Sequence, residues 1–128
     1  MSGAVTALLV CVAGGIGAAL RLIFDGLIRT RIRSTYPVGT TVINVAGSFV
    51  LGLLTGLAAS QLVLHQWQLV FGTGLLGGYT TFSTASLETV RLMEDRRYVA
   101  AGFNAFGMLV GCVAAAALGF ATAHIVTR

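Results

Sequence analysis

The chain has 128 residues, of which 56% are hydrophobic and 9% are charged, and it contains no lysine. A soluble domain needs about 25% charged residues to cover its surface, so this composition excludes a soluble fold and predicts that apolar surface faces a lipid bilayer. The formal net charge is +4, but the eight arginines lie between apolar runs and form no basic face. We therefore expect no nucleic-acid partner.

Four apolar segments are long enough to cross a bilayer, which takes about 20 residues for a helix. They cover about residues 3–24, 38–63, 68–87 and 98–126. The sequence thus predicts an all-α membrane protein with a single four-span domain over residues 1–128. The first apolar run has no basic segment before it, so we expect no removable signal peptide.

Arginine is distributed unequally between the two ends of the predicted spans. If successive loops alternate between sides, Arg128 alone lies on one side. The other side then carries Arg21, Arg29, Arg31, Arg33, Arg91, Arg96 and Arg97. The positive-inside rule places the two charged loops in the cytoplasm and both chain termini outside.

Small residues recur four positions apart in every span, on one face of each helix. The pairs are Gly14 with Ala18, Gly52 with Gly56, Gly74 with Gly78, and Gly107 with Gly111. This spacing allows close helix approach and predicts a compact bundle. Because four spans are few for enclosing a polar pathway, we expect a dimer.

Polar residues are concentrated in the second and third spans. Thr40, Thr41, Asn44 and Ser48 lie along the first half of span two. An asparagine in hydrocarbon must find a hydrogen-bond partner. Asn44 therefore either bridges two helices or presents its amide N–H groups to an anion path, and the sequence leaves both interpretations open.

The third span is interrupted between Gly77 and Thr84. Two adjacent glycines precede a run of β-branched and hydroxyl residues, and this combination has poor helix propensity. A helix broken in the membrane leaves backbone carbonyls and N–H groups unpaired, and membrane proteins commonly build ion sites from such groups. We predict an ion site here, against the alternative of a kinked helix without a function.

Arg21 and Glu88 are the ionisable residues nearest to the spans. Each either reaches the membrane surface or faces an aqueous vestibule, where Arg21 would attract anions. Cys11 and Cys112 have no metal-binding or redox spacing. The chain has no paired carboxylates and no Ser/His/Asp or Cys/His arrangement, so we predict that it is not an enzyme.

Three blocks, at residues 14–21, 39–49 and 77–84 followed by Glu88, occur in an order that resembles the small bacterial fluoride channels of the Fluc/CrcB type. The resemblance covers the whole chain. It implies an antiparallel dual-topology dimer in the bacterial inner membrane, with two pores along the subunit interface. Such a dimer exports fluoride passively and thereby lowers the fluoride concentration of the cytoplasm.

The resemblance also implies roles for individual residues. Backbone carbonyls of Gly77 and Thr80 would hold a structural Na⁺. Phe82 and Asn44 would line the fluoride path, and the hydroxyls that continue it would belong to Thr81, Ser83 and Thr84.

The chain departs from the family pattern in two regions. Ala85 stands where a second phenylalanine is usual, and Asn104 is followed by Met108 and Cys112 where serines are common. The pore lining of this chain is therefore expected to be incomplete. This departure favours a non-conducting or half-pore subunit as an alternative.

The arginine distribution predicts one fixed orientation in the membrane. An antiparallel dimer would then need a paralogous subunit of opposite orientation, and both a homodimer and such a heterodimer remain open. A small four-span multidrug antiporter is a less favoured alternative, because those transporters carry a carboxylate in the first span and this chain has no acidic residue before Asp25.

Overall fold

The computed structural model describes residues 1–128, which form helices and no strands. We number the helices α1 (Gly3–Arg31), α2 (Val38–Ala59), α3 (residues 65–79), α4 (Ser83–Glu94) and α5 (Tyr98–Val126). Helices α1, α2 and α5 are each long and apolar enough to cross a membrane. The chain is thus an all-helical, multi-pass membrane protein.

The third predicted span consists of two shorter helices in series. Helix α3 ends at Tyr79, Thr80 is extended at φ −80° and ψ 161°, and α4 begins at Ser83. The predicted interruption is therefore present, but it is narrower than expected. Gly77 and Gly78 remain helical. Gly78 packs against α1, where a Cβ would overlap the carbonyl of Gly14, whereas a Cβ on Gly77 would meet only the Gly72 carbonyl of its own helix at 3.8 Å.

Two stretches are π-helical and were not anticipated from the sequence. Leu69–Leu76 forms most of α3, and Phe103–Gly107 forms the second turn of α5. Such turns are rare and occur frequently at functional sites. Here the first one immediately precedes the break, and the second one contains the buried Asn104.

The helices pack as two parallel pairs. Gly52 lies against the carbonyl of Ala116 and Gly56 against Ala123, so α2 and α5 run in the same direction. Helix α3 pairs with α1 in the same way, through Gly74 and Gly78. These close approaches confirm the predicted small-residue faces of α2 and α3.

The Gly107 and Gly111 pair on α5 does not approach another helix as closely as the other pairs do. A Cβ at Gly107 would meet only Phe103 of the same helix at 3.7 Å, and one at Gly111 would meet Val45 at 3.6 Å. Both are ordinary van der Waals distances between a methyl group and a side chain. This pair is therefore not a site of close backbone approach within the chain.

The two arginine-rich loops meet at one end of the bundle. Arg97 Nη1 donates a hydrogen bond to Thr35 Oγ1 at 2.8 Å, while Ser60 Oγ and Thr127 Oγ1 lie 3.1 Å apart at the opposite end. Alternate loops therefore lie on the same side, as the sequence predicted. Helix α1 extends beyond the predicted span to Arg31, and Asp25 and Arg29 form an ion pair of 3.0 Å in this extension.

Candidate functional site

An open groove of about 780 Å³ runs between α2, the α3–α4 break and α5. It brings together five of the predicted site residues, namely Asn44, Gly77, Thr80, Thr81 and Phe82. These residues are far apart in sequence and come from two spans. The groove is the only one of the larger cavities that the break itself lines.

Asn44 joins α2 to the break through both ends of its carboxamide. Its Nδ2 donates to the carbonyl of Thr81 at 2.8 Å, and its Oδ1 accepts from the N–H of Thr81 at 2.8 Å. The side chain is buried, so these bonds satisfy polar groups that lipid could not. The interhelical bridge that the sequence left open is therefore present.

The second N–H of the Asn44 amide points towards α5. Its acceptor there is Met108 Sδ at 3.2 Å. A thioether sulfur is a weak acceptor. The amide therefore keeps one N–H group that is only weakly engaged, and it lies at the wall of the groove.

Two side chains take over hydrogen bonds that a continuous helix would make with its own carbonyls. In a regular α-helix each N–H donates to the carbonyl four residues earlier. The N–H of Thr81, the helical partner of the Gly77 carbonyl, donates instead to Asn44. The N–H of Thr84, the partner of the Thr80 carbonyl, donates instead to Thr81 Oγ1 at 3.1 Å.

Phe82 projects from the break into open space. Its side chain is 86% exposed within the chain, although it lines the groove. Ala85, Ser86 and Thr89 follow on the same face of α4 and also line the groove. Ala85 fills little of the space that a second aromatic ring would take.

The hydroxyl residues beyond the break form a short local cluster. Thr81 Oγ1 and Ser83 Oγ lie 3.4 Å apart, and Thr84 contacts the same Thr81 oxygen through its backbone N–H. Ser83 and Thr84 do not line the groove itself. The structure thus brings the predicted hydroxyl residues together at the beginning of α4.

Glu88 lies outside the groove. It is buried, and its Oε1 accepts a hydrogen bond of 2.5 Å from Thr40 Oγ1, while its Oε2 has no partner. It lines a separate cavity of about 240 Å³ together with Asp25, Arg29 and Arg91, below the charged loops. Thr40 thus holds the Glu88 carboxylate inside the bundle, next to a polar cavity, which fits the aqueous-vestibule alternative better than the snorkelling one.

Arg21 is half-buried on α1, and its Nε atom is buried without a hydrogen-bond partner. It lines neither the groove nor the Glu88 cavity. The structure therefore separates the predicted site residues into a group at the groove, a carboxylate near the charged loops, and an isolated arginine.

Several polar residues of the groove were not singled out by the sequence. Ser86 and Thr89 follow Phe82 at helical spacing, and this spacing could have identified them. Asn104 was noted only as a departure from the family pattern. It is 1% exposed and donates to the Ala85 carbonyl at 3.2 Å and to Thr89 Oγ1 at 2.8 Å.

A known protein family matches the part of the chain that contains the groove. The family model described as CrcB-like protein, Camphor Resistance (CrcB), matches residues 8–120, which include all of the groove. The chain belongs to the CrcB-like family. This membership confirms the resemblance seen in the sequence motifs, and it does not favour the multidrug antiporter alternative.

Relatives within the CrcB-like family are similar over most of their length. Fluoride-specific ion channel FluC 1 of Leifsonia xyli subsp. xyli is 52% identical over 112 residues, which cover 88% of this chain and 82% of that protein. Fluoride-specific ion channel FluC 2 of Cutibacterium acnes is 44% identical over 117 residues, covering 91% and 95%. These names denote ion channels rather than enzymes, which confirms the prediction that the chain is not an enzyme.

Proposed function

We propose that this chain is a subunit of a fluoride-selective channel that exports F⁻ passively across the bacterial plasma membrane and so lowers cytoplasmic fluoride. The observation that carries the proposal is the groove, where Asn44, Thr81 and Phe82 share one wall beside the broken helix. The names of the relatives supply the identity of the ion.

The chemistry of the groove suits a small, strongly hydrated anion. The edge of the Phe82 ring carries partial positive charge, so it can face an anion without binding it tightly. The weakly engaged N–H of Asn44 can replace part of the hydration shell of fluoride. The hydroxyls of Thr81, Ser83 and Thr84 continue the donor series towards α4.

The break also has the features of a cation site. The Gly77 carbonyl lacks its helical donor, because the N–H of Thr81 donates to Asn44, and Thr80 is extended with its carbonyl outside both helices. Both residues line the groove. Unpaired carbonyl oxygens are suitable ligands for Na⁺. We propose that these two residues hold a structural Na⁺. When bound, the ion adds a fixed positive potential that favours anions nearby.

The groove is open on the side away from the chain, and this supports a second subunit as its cover. Phe82 is the most exposed large hydrophobic side chain of the chain, and a second subunit would cover it. We propose an antiparallel dimer, in which the partner contributes a matching face. The arginine distribution supports a paralogue of opposite orientation as that partner, and a homodimer is the alternative.

Arg21 and Glu88 are proposed to act at the cytoplasmic end of the path. Arg21 would raise the local concentration of anions there. Glu88 is held by Thr40 near Arg29 and Arg91, so its negative charge is partly balanced by the arginines around it. Its position fits a boundary of the path better than a binding site for fluoride.

Ala85 favours a second candidate, a half-pore or non-conducting subunit of a heterodimer. The position lines the groove but contributes no ring. In this case one pore of the dimer would lack part of its aromatic lining. Conduction would then depend on the partner subunit.

Fluoride efflux from liposomes tests these candidates. We expect a fluoride electrode to record efflux from vesicles that contain this chain alone or together with an oppositely oriented paralogue, and chloride-loaded vesicles serve as the control. Efflux only with the paralogue supports the heterodimer. No efflux in either preparation would contradict the channel function.

A further inference from the structure

We propose that the end of the bundle where the two arginine-rich loops meet binds the phosphate group of an anionic phospholipid from the adjacent leaflet. The site is an open cavity of about 620 Å³, which shares no residue with the groove and only Tyr36 with the Glu88 cavity. Its walls come from Tyr36 of the α1–α2 loop, from Arg96 and Arg97 of the α4–α5 loop, and from residues 98–100 and Phe103 of α5. The inference goes beyond fluoride conduction and does not depend on it.

The α4–α5 loop carries its two arginines on a fixed backbone. The N–H of Arg96 donates to the Met93 carbonyl at 3.0 Å. The N–H of Arg97 donates to the Leu92 carbonyl at 2.8 Å, and the two bonds together form the Schellman arrangement that ends a helix. Arg97 Nη1 also donates to Thr35 Oγ1 at 2.8 Å. Bonds to α4 and to the α1–α2 loop therefore hold this loop beside the cavity.

Arg96 occupies a backbone position that suits a smaller residue. Its φ is 59°, and glycine or asparagine is usual at this position of a Schellman motif. Non-glycine residues in this conformation cluster at ligand sites. The arginine side chain at this strained position lines the cavity, so a ligand that it binds gives the strain a function.

The charged residues of the α4–α5 loop are divided between two cavities. Arg96 and Arg97 line the open cavity, which has no acidic residue in its walls. Asp95 lines the Glu88 cavity instead, and Glu94 lines neither of them. A guanidinium group has five N–H donors and can bind two phosphate oxygens at once. The positive charge of the open cavity therefore favours an anionic ligand.

The remaining walls of the cavity favour a lipid over a soluble anion. Tyr36 and Tyr98 are of the residue type that lies at headgroup level in membranes. Val99 and Phe103 lie one turn apart on α5 and are 76% and 67% exposed, so they continue the cavity as an apolar surface into the membrane. A phosphate at the arginines with an acyl chain along α5 satisfies both parts of this surface. Basic pockets on the cytoplasmic side of membrane proteins bind anionic headgroups in this way.

The test uses the full-length assembled protein in detergent micelles, to which dioleoylphosphatidylglycerol is added as the probe. Binding is measured as the lipid mole fraction that gives half-maximal thermal stabilisation. We expect Arg96→Asn to raise this mole fraction by about tenfold, the effect of losing one charge-assisted hydrogen bond. Arg96→Lys keeps the charge and should stay within about threefold of the wild type. Because asparagine tolerates a positive φ, Arg96→Asn should be at least as stable as the wild type without added lipid.

Arg33→Asn is the matched control, because Arg33 is exposed in the other arginine-rich loop and lines neither cavity. It removes the same charge, and its lipid dependence should equal that of the wild type. Dioleoylphosphatidylcholine, whose headgroup has no net charge, should stabilise the wild type less and should be unaffected by Arg96→Asn. Equal losses in Arg33→Asn and Arg96→Asn would show a general attraction between charges and overturn the proposal.

Inorganic phosphate separates a lipid site from a site for a soluble anion. A large excess of phosphate at constant ionic strength should not displace phosphatidylglycerol, because phosphate has no acyl chain to contact Val99 and Phe103. Displacement would assign the cavity to a soluble anion and overturn the lipid proposal. A wild type that does not distinguish the two lipids, or an Arg96→Asn variant with wild-type dependence on phosphatidylglycerol, would overturn it as well.

Discussion

Asn44 and Thr81 form two hydrogen bonds of 2.8 Å each across a sequence separation of 37 residues. This pairing fixes the break in the third span against the second span. It confirms that Asn44 bridges two helices, while the second N–H group of the amide lies at the groove. Met108 is the weak acceptor that leaves this N–H group available.

Replacing Phe82 with leucine is expected to lower fluoride flux by about fivefold, since an aromatic edge contributes about 1 kcal/mol that an aliphatic side chain cannot. Flux is measured with a fluoride electrode on proteoliposomes, and assembly by size-exclusion chromatography. Phe106→Leu is the control, because Phe106 is exposed but lies outside the groove. Equal flux in Phe82→Leu and wild type would remove Phe82 from the path.

Gly17→Ala is expected to destabilise the fold by about 1–3 kcal/mol, because the added methyl group would overlap the Leu75 carbonyl on α3. Gly15→Ala is a control two residues away, where a Cβ meets no atom within 4 Å. Thermal unfolding in detergent compares the two variants. A Gly17→Ala protein as stable as Gly15→Ala would mean that α1 and α3 do not approach as closely as described.

Thr40→Val is expected to cost about 1–3 kcal/mol of stability, because it removes the one hydrogen bond of the buried Glu88 carboxylate. Glu88→Gln should cost less, since a neutral amide can still accept from Thr40 and carries no charge. In the Glu88→Gln background, Thr40→Val should cost less than it does in the wild type, because it then removes a hydrogen bond to a neutral amide rather than to a carboxylate. Additive losses would indicate that the two side chains do not interact.

A reporter at the C-terminus is expected to be active only outside the cytoplasm, because seven of the eight arginines lie at the other end of the bundle. An alkaline phosphatase fusion reports a C-terminus outside the cytoplasm, and a green fluorescent protein fusion reports a C-terminus inside it. Replacing Arg96 and Arg97 with glutamine should produce a mixed orientation, whereas Glu94→Gln with Asp95→Asn should not, since acidic residues contribute little to topology. Activity of both reporters on the unaltered chain would support a homodimer.

The local sequence was sufficient to predict the features that depend on hydrophobicity and on helix propensity. Four apolar segments indicated the helices, and the arginines indicated which loops share a side. The run from Gly77 to Thr84 indicated the break, but not that the glycines stay helical. That outcome depends on α1, whose backbone approaches Gly78 too closely for any side chain.

The candidate site was predictable as a list of residue types and not as an arrangement. Asn44, Thr81 and Phe82 were identified from chemistry and from the family pattern, yet the hydrogen bonds between Asn44 and Thr81 join separate spans. The sequence left Glu88 open between the membrane surface and an aqueous vestibule. Thr40, 48 residues earlier, holds it inside the bundle.

The interrupted third span shows most clearly which features the sequence determines and which depend on the tertiary structure. The sequence by itself determined that a regular helix would be weak there, because glycine and β-branched residues lose helix stability in any context. Only the tertiary structure decided where the helix ends and which carbonyls become free. The reason is that Asn44 accepts the N–H of Thr81 and donates to its carbonyl, and these two bonds form only where α2 packs against the break.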